Sequence, residues 1–441
     1  MDIKRRLASQ SSLIFAARIL GAGIIFIVQA GIARIWGAHV LGEYMLIMAV
    51  MSLIMAFLPL GFQTISTYFV AEYCANKDGF MLRKFLFRSY SHVIVMGLLV
   101  AIIIIPSANL FGETGQLVNL YWLPITILAI SVAIIYINSA VLIGLKRPFA
   151  GFLTDALFRP SLVFASFFVA AFYFSGDNAL LDMLYLMSGA FIIIALAQFY
   201  LVASSIKQIP DEVDQRPVEV KRWWRFATPW VIIALATDFF FEINLIILVS
   251  YLEPHDLAVF GVIGRIFMLI SFGVIAVYAV VLPDIFESEA NNDREGFLNK
   301  VGQANLVATG LAFIMVIGVA IVGRFALGIF GPDFVEGAWP LVILCIALLV
   351  RSIFGPASLV LSIYDKPYAS LPAVACGLAS LMIFNYYLVP DYHLMGAAIA
   401  SLLAIIVWSV GLWFTALMLA KVDVSIFSAI KHQFTLPAKV K

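Results

Sequence analysis

The sequence predicts an all-α polytopic membrane protein. We expect about twelve transmembrane helices in two six-helix bundles, related by a pseudo-two-fold axis along the membrane normal. Composition, apolar segment length and an internal repeat support this prediction. Of the 441 residues, 63% are hydrophobic and 12% are charged, whereas a soluble domain is about 45–50% apolar and about 25% charged.

The apolar segments give the number of spans, because a helix needs about 20 apolar residues to cross the hydrocarbon core. The first half contains six such segments: Leu13–Ile35, Tyr44–Val70, Val93–Phe111, Leu120–Leu145, Phe149–Phe174 and Leu184–Ser204. The second half contains another six: Phe226–Leu252, Leu257–Leu282, Leu306–Phe330, Pro340–Ile363, Tyr368–Leu388 and Met395–Leu419. The first segment follows a basic start like that of a secretory signal, but its length favours an uncleaved helix.

Charges in the loops predict the orientation. Lysines and arginines concentrate in loops on one side, such as Lys4–Arg6 and Arg83–Arg88, whereas the opposite loops carry acids such as Glu113 and Glu253. By the positive-inside rule, both termini and the central loop are cytoplasmic, in a multi-pass protein of the inner membrane.

The charged central loop separates the two predicted lobes. It contains Pro210 and Pro217 and is typical of a linker. We therefore predict an N-terminal lobe over residues 1–206, a cytoplasmic linker over 207–225, a C-terminal lobe over 226–420 and a cytoplasmic tail over 421–441.

The two halves share an internal repeat. GAHVLGEY at residues 37–44 matches EPHDLAVF at 253–260, an offset of 216, and GLKRPF at 144–149 matches IYDKPY at 363–368, an offset of 219. Because each half has six spans, the repeats have the same orientation, which predicts two parallel bundles with a binding cavity between them. Chance similarity among apolar helices is the alternative, but two ordered matches at nearly one offset count against it.

Several short motifs resemble one family of transporters. They are Arg34-Ile35-Trp36-Gly37, Leu41-Gly42-Glu43-Tyr44, Leu60-Gly61-Phe62 and Val70-Ala71-Glu72-Tyr73, with Pro229 and Gly261-Val262-Ile263-Gly264-Arg265-Ile266 in the second half. The pattern is similar to the lipid-linked oligosaccharide flippases, the O-antigen and exopolysaccharide translocases of the multidrug/oligosaccharidyl-lipid/polysaccharide exporter superfamily. The resemblance implies a two-lobed transporter of undecaprenyl-pyrophosphate-linked glycans that works by alternating access. One departure is that Glu242 precedes Ile243 and not the basic residue usual in the family.

Five arginines lie within the apolar segments and indicate an anionic cargo. A cation in hydrocarbon costs at least about 2.5–3.5 kcal/mol, so it normally faces a bundle interior or a watery cavity. The guanidinium group stays charged and matches phosphate in shape. The predicted substrate-binding residues are Arg265, Arg351, Arg159 and Arg18.

Each arginine also has a structural interpretation. Arg159 lies four residues after Asp155 and could pair with it, Arg18 is close enough to the cytoplasmic end to snorkel, and Arg34 beside Trp36 is more typical of an interface anchor than of cargo binding.

Two acids in the seventh span are the candidates for coupling transport to an ion gradient. Asp238 and Glu242 are four residues apart and therefore on one helix face. Proton or sodium coupling is one interpretation, because carboxylates in a membrane span are typical of ion pathways. Neutralisation of nearby arginines is the other.

No further chemistry is expected. The histidines (His39, His92, His255, His393 and His432) lack the spacing of metal ligands, so we predict no metal, no cofactor, no catalytic residue and no enzymatic activity. No P-loop is present, which argues against direct use of ATP. The expected partners are the lipid-linked glycan, the bilayer and polysaccharide assembly proteins, without nucleic acid.

Four alternatives remain. The lipid II flippase branch of the superfamily has a more similar cargo, but that branch typically has two further helices, which are not found in this sequence. A cation-coupled multidrug antiporter of the same superfamily predicts the same architecture, but it fits less well with spans in which basic charges outnumber acidic ones. A membrane polymerase or glycosyltransferase would need larger outer loops. A non-transporting assembly scaffold is compatible with the sequence.

Overall fold

The computed structural model describes residues 3–110, 112–174, 178–207, 209–210, 220–228, 239–290, 293–364 and 366–428. These residues form helices and short connections, with no β-strand among them. The chain divides into two compact units, Met1–Leu235 and Ala236–Lys441. The all-helical prediction is confirmed.

The described part of the first unit contains ten helices. They are α1 (Ile3–Ile35), α2 (Ala38–Phe57), α3 (Phe62–Ala75), α4 (Gly79–Leu110), α5 (Gly112–Leu120), α6 (Trp122–Gly144), α7 (Pro148–Leu153), α8 (Arg159–Tyr173), α9 (Ala179–Ile206) and α10 (220–228), with a π-helical turn over Thr154–Phe158 between α7 and α8. Helix α6 is the most enclosed of them, because it packs against α3, α4 and α9.

The described part of the second unit contains six helices. They are α11 (Phe240–Leu248), α12 (Pro254–Ala290), α13 (Arg294–Gly328), α14 (Ala338–Phe354), α15 (Ala357–Ile363) and α16 (Leu371–Leu419), with 3-10 turns over Pro332–Gly337 and Pro367–Ser370. Within this unit α14 packs against α13 and α16.

In the described parts of the chain, ten helical segments are long and apolar enough to cross a membrane. The prediction of one continuous span over Tyr44–Val70 is corrected. Helix α2 ends at Phe57 and α3 begins at Phe62, because Leu60 and Gly61 have positive φ values of 49° and 85°. The prediction that Arg83–Arg88 lie in a loop is also corrected, since these residues lie in the first turns of α4. Ten of the 27 residues of the predicted seventh span, 229–238, lie outside the described residues. The number twelve therefore stays a prediction.

Helix α16 is a hairpin of two helical arms. Its 49 residues would extend about 73 Å if straight, far more than the roughly 30 Å of a hydrocarbon core. The backbone at His393 is non-helical, with φ 46° and ψ −125°. A Cβ on Gly377 would lie 2.8 Å from the Cβ of Trp408, although these residues would be about 46 Å apart on a straight helix. The two predicted spans at 368–388 and 395–419 are therefore antiparallel arms.

The helix boundaries repeat at the offset found in the sequence. Helices α2 and α12 begin at residues 38 and 254, α4 and α13 at 79 and 294, and α6 and α14 at 122 and 338. These offsets are 216, 215 and 216 residues. The charged first turns of α4 and α13 are thus equivalent elements, which supports a repeat with the same order of helices in both units.

The structure places part of the predicted linker in the first unit. In α10, Nη2 of Arg222 lies 2.9 Å from both carboxylate oxygens of Glu72 on α3. The Trp223 Nε1–H donates to the hydroxyl of Tyr73 at 2.7 Å, and Trp223 is only 1% exposed. Arg222 and Trp223 of the predicted linker therefore pack on α3 of the first unit, and the predicted lobe boundaries stay a prediction.

The first residues of the predicted tail belong to the core of the second unit. Val422 and Val424 are buried with Phe297 and Val360. Asn305 Nδ2–H donates to the carbonyl of Val424 at 2.9 Å. The first residues of the predicted tail over 421–441 therefore pack in the second unit, while residues 429–441 lie outside the described residues.

Candidate functional site

In the first unit, a π-helical turn positions the candidate Arg159. Pro160 follows it and lacks the N–H that would bond to the carbonyl of Ala156, four residues earlier. The wider turn over Thr154–Phe158 accommodates the proline ring, and such turns commonly occur at functional positions. A Cβ on Gly21 of α1 would collide with this carbonyl oxygen. A glycine at this position therefore allows α1 to approach the turn closely.

Arg159 is held by an ion pair and by aromatic rings. Its guanidinium contacts the carboxylate of Asp155 and donates to the hydroxyl of Tyr136 on α6 at 3.1 Å. Its Cζ lies 5.3 Å from the centre of the Tyr136 ring and 5.7 Å from that of Phe191 on α9. Its side chain is 18% exposed. These contacts connect the turn to α6 and α9, and the contact with Asp155 agrees with the structural interpretation of Arg159. The substrate role of Arg159 stays a prediction.

The other two arginines that the sequence places in spans of the first unit are exposed. The Cζ of Arg18 lies 5.8 Å from the centre of the Phe152 ring on α7, so this cation lies beside the π-helical turn. Arg34 is at the end of α1, next to Trp36, whose ring packs edge-on against Phe167 at 5.3 Å. This geometry fits the interpretation of Arg34 as an interface residue.

In the second unit, the structure brings Arg265 and Glu242 together. Arg265 Nη1 on α12 lies 4.0 Å from Glu242 Oε1 on α11, and their side chains are 34% and 11% exposed. Arg265 Nη1 also lies 3.7 Å from the sulfur of Met268. One predicted coupling acid is thus an ion-pair partner of one predicted substrate arginine. Asp238 lies outside the described residues.

Arg351 lies in the last turn of α14, where a cation interacts favourably with the helix dipole. The residue is exposed, and its Cζ lies 5.7 Å from the centre of the Trp408 ring on α16. Trp408 in turn packs on Phe240 of α11, with ring centres 5.7 Å apart. The guanidinium of Arg351 therefore lies near the ring of Trp408, which itself packs on Phe240, within the second unit.

A buried polar network next to these groups was not predicted from the sequence. Asn244 of α11 donates from Nδ2 to the hydroxyl of Ser401 at 2.9 Å. Asn385 donates from Nδ2 to Asn244 Oδ1 at 2.8 Å. All three residues are 0% exposed, so they join α11 to both arms of α16. Amide side chains within long apolar segments are a signal that could have identified this network.

Three solved structures share the fold of this chain. An inward-facing multidrug resistance MATE family transporter of the MOP superfamily has a TM-score of 0.76 and 16% identity, covering 92% of this chain and 98% of that one. The lipid II flippase MurJ, in an inward closed conformation, has a TM-score of 0.73 and 16% identity, covering 97% and 94%. An outward-facing MATE family transporter has a TM-score of 0.62 and 15% identity, covering 93% and 94%.

The described part of the chain contains ten helical segments able to cross a membrane, and the chain shares the fold of these solved transporter and flippase structures. The family described as "Polysaccharide biosynthesis protein" matches residues 7–289. The chain belongs to this family, which confirms the predicted link to polysaccharide biosynthesis. The O-antigen or exopolysaccharide subtype stays a prediction. No curated protein matches the sequence.

Proposed function

We propose that this protein is a flippase that moves undecaprenyl-pyrophosphate-linked oligosaccharides across the inner membrane by alternating access, for the synthesis of cell-surface polysaccharide. Membership in the polysaccharide biosynthesis family supports the pathway, and the likeness to a lipid II flippase supports the fold that such transport needs. Both termini are cytoplasmic in this proposal.

The observation that carries the proposal is the exposed residue Arg351 in a helical segment that is long and apolar enough to cross a membrane. A charge at this depth is costly and typically marks a substrate pathway. An arginine fork can bind phosphate oxygens through two parallel hydrogen bonds. Arg265, which is 34% exposed and pairs with Glu242, is the second binding residue, whereas Arg159 is 18% exposed and pairs with Asp155.

The pair of Arg265 and Glu242 suggests how cargo binding is coupled to an ion gradient. A pyrophosphate that binds Arg265 competes with the carboxylate for the same cation. The carboxylate is largely buried, and a buried charge without a counter-charge is strongly disfavoured. Glu242 would then take up a proton or a sodium ion, which links loading of the cargo to loading of the ion. We propose the same coupling role for Asp238.

Arginine variants test the cargo site. We expect Arg351→Ala and Arg265→Ala to trap glycolipid on the cytoplasmic leaflet while the protein stays in the membrane at normal abundance. Arg324→Ala is the matched control, because Arg324 is an exposed arginine on α13 without a proposed role. Lysine at 351 or 265 should restore only part of the transport, since an ammonium lacks the planar fork.

The measurement is the distribution of undecaprenyl-linked intermediates between the two leaflets in a deletion strain that carries each variant. Full export by both alanine variants would refute the cationic site. Normal export in the deletion strain, together with altered sensitivity to cationic drugs, would favour the antiporter.

Coupling is tested separately with Glu242→Gln and Asp238→Asn. In vesicles with an imposed proton or sodium gradient, we expect these variants to bind glycolipid but to lose the stimulation by the gradient. Unchanged gradient-dependent transport would reject the coupling role without affecting the cargo site.

A further inference from the structure

An imidazole and two carboxylates converge at the start of α12 in the second unit. His255 Nδ1 lies 3.3 Å from Asp256 Oδ1 and 3.7 Å from Glu336 Oε1. One ligand atom from each residue lies within 4.8 Å of the other two. The first two residues are adjacent, and the third comes from the 3-10 turn Pro332–Gly337, so folding alone brings the three together.

The turn that carries Glu336 is fixed against α12. A Cβ on Gly337 would lie 2.8 Å from Val259 Cγ1 and 2.9 Å from Ile263 Cδ1. Only a glycine allows the backbone to approach α12 so closely. Phe334 in the same turn is 2% exposed, which anchors the turn from its other end. The carboxylate of Glu336 is therefore held close to the first turn of α12.

The spacing of the three groups matches that of metal ligands. Zinc binds histidine nitrogen and carboxylate oxygen at about 2.0–2.2 Å, so two ligand atoms on one ion are at most about 4.4 Å apart. The observed 3.3 and 3.7 Å are within this limit, and the two carboxylates lie within 4.8 Å of each other. A nitrogen with two carboxylates suits zinc or a similar transition metal, and it leaves a fourth position for water.

The simpler interpretation is that Asp256 stabilises the N-terminus of α12 and that His255 only bonds to it. This interpretation gives Glu336 no role, although the turn directs its carboxylate to the imidazole. Two carboxylates near one imidazole also repel each other, and a divalent cation removes this repulsion.

We infer that His255, Asp256 and Glu336 form a binding site for a divalent transition metal, with zinc as the best match. The ion cross-links the turn before α14 to the start of α12. The site lies at the end of the spans that the charge pattern predicts to be opposite the cytoplasmic face, so the ion would bind from that side of the membrane. It is separate from the arginines of the proposed cargo site, and its test does not depend on transport.

In the test, the full-length protein in detergent is titrated with zinc chloride, and the heat of binding is measured by calorimetry. The protein is purified with an affinity tag that contains no histidine and is stripped with a chelator. We expect one saturable equivalent in the native protein. Loss of a group outside the coordination sphere typically costs about 10–100-fold in metal affinity, so loss of a ligand should weaken binding by more than about tenfold. Glu336→Gln and His255→Gln should each have this effect.

His39→Gln is the matched control. His39 occupies the position of His255 in the first repeat, and its Nδ1 lies 3.6 Å from a single carboxylate, that of Glu43. We expect the control to keep the zinc equivalent. Glu336 is exposed, so Glu336→Gln should fold normally and decides the outcome if His255→Gln does not fold. Zinc should also raise the melting temperature of the native protein but not that of Glu336→Gln.

Three results would overturn the inference. The first is the absence of a saturable zinc equivalent in the native protein. The second is equal binding by the native protein and Glu336→Gln. The third is equal loss of binding in His39→Gln, which would indicate unspecific association with surface histidines.

Discussion

Replacing Asn244 by alanine should destabilise the second unit more than any other single truncation in its buried network. Asn244 makes two side-chain hydrogen bonds, one to Ser401 at 2.9 Å and one from Asn385 at 2.8 Å. Hydrogen bonds between helices in membrane proteins average about 0.6 kcal/mol and reach about 1.7 kcal/mol. The loss of both should therefore lower the free energy of unfolding by about 1–3 kcal/mol.

Two serine variants calibrate this value. Ser401→Ala removes one bond between helices and should cost about 0.6–1.7 kcal/mol. Ser352 is also buried, and its hydroxyl donates to the carbonyl of Leu348 on the same helix, so Ser352→Ala should stay within about 0.5 kcal/mol. The assay is equilibrium unfolding of the full-length protein in mixed micelles with increasing SDS, followed by tryptophan fluorescence. Equal free energies for Asn244→Ala and Ser352→Ala would refute the reasoning.

Three further predictions concern the first unit. Gly21→Ala should destabilise it by about 1–3 kcal/mol because the new Cβ collides with the π-helical turn. Gly23→Ala should stabilise α1 by about 0.5–1 kcal/mol, because no atom lies within 4 Å of the new Cβ. Thermal melts in which both variants shift stability in the same direction would contradict this prediction. Arg222→Ala and Glu72→Gln should each cost about 1 kcal/mol, and their double variant should cost less than the sum, as measured by a double-mutant cycle. Burial raises the pKa of the Cys74 thiol, so an impermeant maleimide should label it slowly at neutral pH and faster in alkali. The predicted topology allows this labelling only from the cytoplasmic side, and labelling from outside would reverse that topology.

The sequence predicted most of the helices because a span is determined by local composition. A run of about 20 apolar residues has to form a helix in lipid, whatever it packs against. The repeat was also visible, since its matches at residues 37–44 and 253–260 mark the starts of equivalent helices. The proximity of Asp155 and Arg159 followed from their spacing alone, because residues four apart share a helix face.

Features that depend on packing between distant segments could not be predicted in this way. The break at Leu58–Gly61 interrupts an apolar run, so hydropathy gives no sign of it. The network of Asn244 joins residues as far apart as 157 positions in the chain, and the group at His255 needs a carboxylate 81 positions later. The prediction of a loop over Arg83–Arg88 is wrong because charged turns often extend a helix beyond the membrane, as the first turns of α4 do.

The burial of Val422 and Val424 has a consequence for the order in which this protein is made. These two valines fill a core most of whose other members, such as Phe297 and Val360, are synthesised more than 60 residues earlier. This core can be completed only after the whole α16 hairpin has been inserted into the membrane. During biogenesis the nascent protein therefore carries an open hydrophobic recess, which is available to an insertase or a quality-control protease until residues 422–424 arrive. A messenger truncated before this point should produce a chain that inserts but is rapidly degraded.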